Sequence, residues 1–578
     1  MKKKLTKLLS LAMALGMTFS VAACGGGGGT SSSTGGGTVG GGTSSSTNGG
    51  GTSSGNQSYT DVPTGGNPDA TDTLDIYLLV HGYGQEWMKS AINKFATQTW
   101  VREKYPNFSV NYDFDSIDAT ASQKLSAGAS INKYDVIFGV NLQAYETKGM
   151  IADLTDSVFL SEVPGEEGKK VIDKVPQRFL EKIKNTSADP RNDGNDSYFV
   201  VPYVNGFWSM LYNATILEQL QLEVPLTTDQ FLETAAQIKT KKYTWAGGAG
   251  NTNVINNCAG DNYWRGSYDF WWSQYEGIEG VSNFYEGYDP LEDMYGSSAV
   301  LNQEGRLKAL QVVEDILTDY SHKDSQSGNY KEHQTAFLMG DGVFHYNGDY
   351  FASEMETEIN ALKKQNIQYD IKYMKMPVIS AIIDKTPSIE NDAELRAVIK
   401  EIDADKTWAE SSVKDSVTEE DFKVIANARC LSGWSAPGSH VAVVPSYAAG
   451  KGVAADFLRY LYTDEAIKDF TISSGGILFP STYDIASDAE VMQSVQAIHK
   501  SKMELLKGTA KYPFTYSIAA AATPLGKAGL ESLHYAGKFE VNFVQTGANK
   551  QTAEQILASE KTHWNKNTWD QMVAASQQ

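Results

Sequence analysis

Two hydrophobic periods alternate along the chain. The run Leu74-Asp75-Ile76-Tyr77-Leu78-Leu79-Val80 predicts a strand that ends in the turn His81-Gly82-Tyr83-Gly84. Trp87, Ala91, Ile92, Phe95 and Ala96 then recur at helical spacing and predict a helix from Gln85 to about Tyr105, stopped by Pro106. Phe108 to Phe114 reads as a second strand, Ala119 to Ala129 as a helix, and Tyr134 to Gly139 as a short buried strand. Such an alternation predicts an α/β fold with a parallel sheet covered by helices. Ligands of such sheets bind at the carboxyl ends of the strands, here the loops at Tyr83 and Asn141.

The same alternation continues without an internal repeat. Phe199 to Tyr203 and Trp208 to Tyr212 predict strands on either side of a turn at Asn205-Gly206, and a helix start follows at Asn213-Ala214-Thr215. A second helix start lies near Thr227, with Thr228 or Asp229 as its cap. Leu301 to Tyr320 and Lys331 to Leu338 have helical periodicity, and Val343 to Tyr346 follows as an apolar run. From Ile379 to Arg429 the chain is charged and reads as an acidic helical insertion, after which Val441 to Val444 resumes the strand pattern and Val453 to Tyr462 is helical.

The N-terminus is patterned differently. Lys2, Lys3, Lys4 and Lys7 precede an apolar stretch from Leu8 to about Phe19, the layout of an export signal. Val21-Ala22-Ala23-Cys24 resembles a bacterial lipobox, which implies a signal peptide over 1–23 and lipid attachment at Cys24. Of the 31 residues from Gly25 to Gly55, 29 are Gly, Ser or Thr, so 24–72 is expected to be a flexible tether. The protein is then expected on the outer face of the bacterial cell membrane, anchored by lipid and not spanning the bilayer.

Composition narrows the function. With 49 basic and 70 acidic residues the 578-residue chain carries a formal charge of −21, which excludes the basic face a nucleic-acid partner requires. Three cysteines do not make a disulfide scaffold, and the eight histidines show no metal-ligand spacing, so neither a metal nor a cofactor is expected. No phosphate-cradling lysine loop, G-x-S-x-G or G-x-G-x-x-G occurs, and no catalytic residue is assigned.

Several landmarks in order resemble the extracellular carbohydrate-binding family of solute-binding proteins that serve bacterial ABC importers. These are Tyr83-Gly84-Gln85-Glu86-Trp87; Tyr134 to Phe138 followed by Gly149 to Thr155; and Pro202 through Tyr212-Asn213. They continue with Pro225 to Phe231 in the pattern P-x-T-x-D/E-x-F, Ala336 to Gly342 leading to Asn347-Gly348-Asp349, then Ala454 to Leu458 and Gly475 to Pro480. The resemblance implies the two-lobed type II binding-protein fold, a hinge, and a ligand cleft whose closure is read by an ABC permease. On that reading lobe one takes 73–210 and, with the acidic insertion, 376–462, and lobe two takes 211–375 and 463–578. A monomer is the expected state.

A sugar offers C–H faces and a rim of hydroxyls, so its site needs aromatic rings and hydrogen-bonding side chains. Five of the eleven Trp, at 208, 245, 264, 271 and 272, fall within 65 residues. The expected ligand-binding residues are Tyr83, Glu86, Asn141, Asn205, Trp208, Trp264, Trp271, Asn347, Asp349 and Trp434. Other roles compete: Trp271 as core, Glu86 as a first-turn helix charge and Asp349 as a helix cap. Two alternative functions stay open on sequence alone, a secreted glycoside hydrolase with paired carboxylates and the same fold holding a non-sugar solute.

Overall fold

The structure, a computed structural model, describes residues 62–185, 196–245, 250–261, 263–367, 369–433, 439–507, 511–516, 523–534 and 536–577. The signal segment, Cys24, the tether as far as residue 61 and Trp434 lie outside the described residues.

Strands β1 (Thr73–Leu79), β2 (Ser109–Asp115) and β3 (Val136–Val140) are parallel, with β1 in the middle. β1 is buried throughout and β3 as far as Gly139, as strands covered by helices on both faces require, while β2 at the sheet edge is half-buried from Asn111 onward. Helix α1 (Glu86–Thr97) links β1 to β2 and α2 (Asp118–Ala127) links β2 to β3. The single helix expected to reach Tyr105 is broken at Gln98, whose ψ of 132° is extended, and restarts over Thr99–Lys104. Two later strands, β4 (Val201–Pro202) and β9 (His440–Val443), complete a sheet of order β2-β1-β3-β9-β4, with β9 antiparallel to both neighbours.

The second sheet is antiparallel, ordered β6 (Phe344–Gly348), β5 (Trp208–Asn213), β7 (Ile371–Met374). Its side chains obey the two-residue period: Met210, Phe344, Tyr346 and Met374 enter the large second core, while Leu211 and Tyr373 face a smaller one. Around it lie α3 (Ala214–Leu220), α4 (Thr228–Lys241), α5 (Arg265–Glu286), α6 (Glu304–Tyr320) and α7 (Tyr330–Leu338). Asn213 caps α3 as predicted, but the cap of α4 is Thr227, whose hydroxyl accepts from Gln230 N at 3.2 Å.

The chain crosses between the two cores three times: at Val204–Phe207, between β8 (Leu431–Gly433) and β9, and after Phe479. The crossings are cross-linked, since Asn205 N donates to Leu478 O at 2.8 Å and Tyr203 N donates to His440 O at 3.2 Å. This is the hinge.

Two expected boundaries move. The stretch from 376, assigned to the first lobe, packs in the second core as far as Ala428. Its helix α8 (Asp392–Asp403) buries Leu395, Val398, Ile399 and Ile402, and α9 (Glu419–Cys430) buries Phe422 and Ile425. Most of the acids that gave it an insertion-like composition lie on the outer side of an ordinary amphipathic pair, while Asp421 is buried and accepts from Ser388 N at 2.8 Å. Conversely, after α10 (Lys451–Tyr460), helix α11 (Asp464–Ser473) stays with the first core through Ile467 and Phe470. Helix α12 (Ala497–Lys507) then returns to the second lobe, where Ile498 joins the smaller core. The folded body also begins before residue 73, inside the stretch expected as tether, because Val62 is buried in the first core and Thr64 bridges to Val110. No helix among the described residues is long and apolar enough to cross a membrane.

Candidate functional site

The lobes touch where the carboxyl end of β1 meets the chain leaving β6. A Cβ added at Gly82 would lie 2.6 Å from Tyr350 Cβ and 3.5 Å from Glu354 Cγ, so this approach requires glycine. The Tyr350 ring packs edge-on against His81, Tyr83 and His440, with centroids 6.4, 5.8 and 6.2 Å away. Its hydroxyl lies 3.3 Å from His440 Nε2, the atom that also lies 2.9 Å from His81 Nδ1. His81 Nε2 lies 2.6 Å from Asp118 Oδ1. A string of polar groups thus runs from α2 of the first lobe to the second lobe.

His440 is strongly perturbed. Burial, and then the neighbouring His81 ring, push its pKa down to about 3. The folded chain keeps this imidazole neutral where the unfolded chain, titrating near 6.5, protonates it. The unfolded state therefore binds more protons, and the contribution of this residue to stability falls as the pH drops below about 6.5. Between pH 7 and pH 5 the expected loss is up to about 2 kcal/mol. Urea denaturation of wild type and His440→Asn at both pH values checks this: the variant should lose less stability on acidification, and equal losses would remove His440 as the titrating group.

Beside the contact, the second lobe carries a row of half-buried rings. Trp208 opens β5 and meets Tyr263 edge-on at 4.9 Å, and Tyr263 lies 6.5 Å from Tyr330. Register makes room for the Trp208 ring, because its partner on β6 is Gly348, where a Cβ would come within 2.7 Å of Trp208 Cε2. Glu354 borders the row; its carboxyl accepts from Gln334 Nε2 at 2.8 Å. Burial raises the Glu354 pKa, opposed by that hydrogen bond and by the charges of Lys331 and His81. Rings with one accessible side beside a carboxylate offer both a stacking surface and a hydroxyl acceptor.

The structure sorts the sequence-derived candidates sharply. Trp208 lies in the row, and Glu86 and Asn141 are exposed at the carboxyl ends of β1 and β3. Glu86 pairs with Lys89 at 2.8 Å, and Asn141 adopts the left-handed conformation (φ 55°) that asparagine tolerates. The other described candidates are buried. Trp264 and Trp271 are both 0% exposed, the first against Tyr346 and the second with its indole N–H donating to Pro377 O at 3.0 Å. They are core residues: Trp264, the residue that precedes α5, and Trp271 within it both belong to the second core. Tyr83 donates to Leu79 O and pairs with the Tyr203 hydroxyl, supporting the interlobe contact from beneath. Asn205 is held in the hinge and accepts from Arg178 Nη2 at 3.2 Å. Asn347 donates to His345 Nε2 at 2.8 Å and accepts from Gly348 N. Asp349 is paired with the buried Lys502 at 3.0 Å, neither free for solute nor a helix cap.

Sequence reasoning missed His81, Tyr330, Tyr350, Glu354 and His440. Tyr350 carried the clearest signal of these, since it directly follows Asn347-Gly348-Asp349 at the end of a strand. Among the described residues no group of three His, Cys, Asp or Glu side chains is placed to hold a metal ion.

Two α/β lobes, a three-stranded hinge and an aromatic, acid-bordered meeting surface define a two-lobed binding protein. The profile of the bacterial extracellular solute-binding protein family matches residues 80–468, and the chain belongs to that family. No curated protein matches it in sequence. Among solved structures it is similar to a probable secreted solute-binding lipoprotein from Streptomyces coelicolor (12% identity, TM-score 0.52, covering 86% of this chain and 99% of that one). It is also similar to the bacterial solute receptor AcbH (11%, 0.51, 88% and 98%). The GacH receptor of Streptomyces glaucescens is a third (14%, 0.50, 87% and 98%). At these identities the likeness establishes the fold.

Proposed function

We propose that the protein captures a carbohydrate, an oligosaccharide in the first instance, between its two lobes and hands it to an ABC permease. The observation that carries this reading is the half-buried row Trp208–Tyr263–Tyr330 beside Glu354, set where the loop at Gly82 meets Tyr350. Flat rings cover the C–H faces of a sugar while carboxylate and amide groups take its hydroxyls. Of the structural relatives, GacH has been crystallised with acarbose and AcbH prefers β-D-galactopyranose, ligands of the chemistry that such a row suits. The hinge permits closure around the solute, the step that a permease recognises. Lipid on Cys24 and the Gly/Ser/Thr tether keep the body near its permease and raise the local concentration for docking.

Calorimetric titration with maltotriose, raffinose, cellotriose and chitotriose tests the reading. At least one should bind saturably and be recovered unchanged, and Cys24→Ser should release the protein from membranes. Turnover of a sugar would replace this function by hydrolysis, and silence with all four sugars would remove the carbohydrate assignment.

A further inference from the structure

Residues Val254 to Asn256 run beside β6: Val343 N and Phe344 N donate to Val254 O, and Asn256 N donates to Phe344 O at 3.1 Å. His345 Nδ1–H donates to Asn256 O, while its Nε2 accepts from Asn347, a pattern that fixes a neutral imidazole. The next residue, Asn257, is therefore rigidly placed. Its side chain is 4% exposed, and neither its amide oxygen nor its amide nitrogen has a hydrogen-bond partner among the described residues. It lines a cavity of about 10 Å³ together with Cys258, Tyr263, Tyr330, His333, His345 and Tyr346; the ring nitrogens of His333 are taken up by Asn256 Oδ1 and Ser327 O, and the Tyr346 hydroxyl is likewise unpartnered. Leaving a buried amide unpaired destabilises the fold, so stability gives no reason to keep one here. Two of the cavity walls, Tyr263 and Tyr330, are also rings of the proposed stacking row.

A slot of this size holds one heavy atom. A primary amide presents both an acceptor and a donor, the complement of a hydroxyl, which also does both. A carboxylate or phosphate has too many heavy atoms for this slot, and an ammonium group would bring a charge that no acidic side chain among the walls pairs. We infer that Asn257 forms a deep subsite that reads a single hydroxyl of a neutral sugar lying on the Tyr263–Tyr330 wall. The inference rests on the carbohydrate reading above and adds to it the residue that selects among sugars.

The test uses the whole chain and Asn257→Leu, close in shape and unable to hydrogen-bond. Calorimetry with maltotriose, raffinose, cellotriose and chitotriose is paired with the unfolding midpoint of the sugar-free protein. For the sugar that binds wild type, N257L should lose tenfold or more in affinity while its midpoint stays level or rises. Monodeoxy derivatives of that sugar should show one position whose removal costs wild type about tenfold and N257L nothing. Wild-type affinity in N257L alongside a loss in Trp208→Ala would overturn the subsite and leave the carbohydrate reading standing. So would deoxy derivatives that discriminate equally on both proteins, whatever the midpoint does. If none of the four sugars binds wild type, both readings fall.

Discussion

Replacing Lys502 by methionine is expected to cost about 3–5 kcal/mol of folding stability, the range for breaking a buried ion pair from one side. Lys502 Nζ lies 3.0 Å from Asp349 Oδ2 and donates to Gly476 O at 2.8 Å, with the two side chains 0% and 2% exposed. Burial pulls the lysine pKa down, opposed by the Asp349 charge, and burial raises that of Asp349, opposed by Lys502. Each charge is held in place by the other. Methionine matches the lysine stem but leaves the carboxylate of Asp349 uncompensated. The pair also joins three segments, since Asp349 follows β6, Gly476 lies just before the third crossing and Lys502 belongs to α12. The double variant Lys502→Met/Asp349→Leu should recover most of the loss, because it removes both charges together. Urea denaturation of the three proteins measures this. A loss below about 1 kcal/mol in K502M would show that the pair does not hold this junction.

Trp208→Ala is expected to weaken sugar binding about thirtyfold, roughly 2 kcal/mol, as removal of a central aromatic anchor does. The argument is one of contrast with Trp264. Both tryptophans lie near Tyr346, but Trp208 keeps part of its ring accessible and Trp264 does not. Trp264→Ala should instead cost about 3–5 kcal/mol of stability, with affinity per folded molecule little changed. Calorimetry and chemical denaturation on the two variants separate the roles. Unchanged affinity in W208A would exclude the row as the stacking surface.

Much of the architecture is legible in local patterns. The strand at Leu74 and the helix after it follow from hydrophobic period, and Asn213 announces the start of α3 because its side chain satisfies a free amide of the first turn. The region from 379 to 429 was harder to place. Leu395, Val398, Ile399 and Ile402 form a clear helical stripe, but a stripe tells that a face is buried and not which lobe buries it. The packing of α8 and α9 against the second core is a long-range contact, and composition pointed the other way.

The site divides along the same line. Strands that alternate with helices, sharp turns at Gly82 and Gly206, and the crowding of aromatic residues from 208 to 272 are all legible in local patterns. Only the tertiary structure decided which of those rings face solvent. Trp208, Trp264 and Trp271 are alike as letters, yet the β5–β6 register sets one over a glycine while the other two are packed inside the second core. In the same way Asp349, a ligand candidate by its place after a strand, is paired with a lysine 153 residues further along the chain. Exposure and partnership are properties of neighbours brought together from distant parts of the chain, and short-range periodicity carries no record of them.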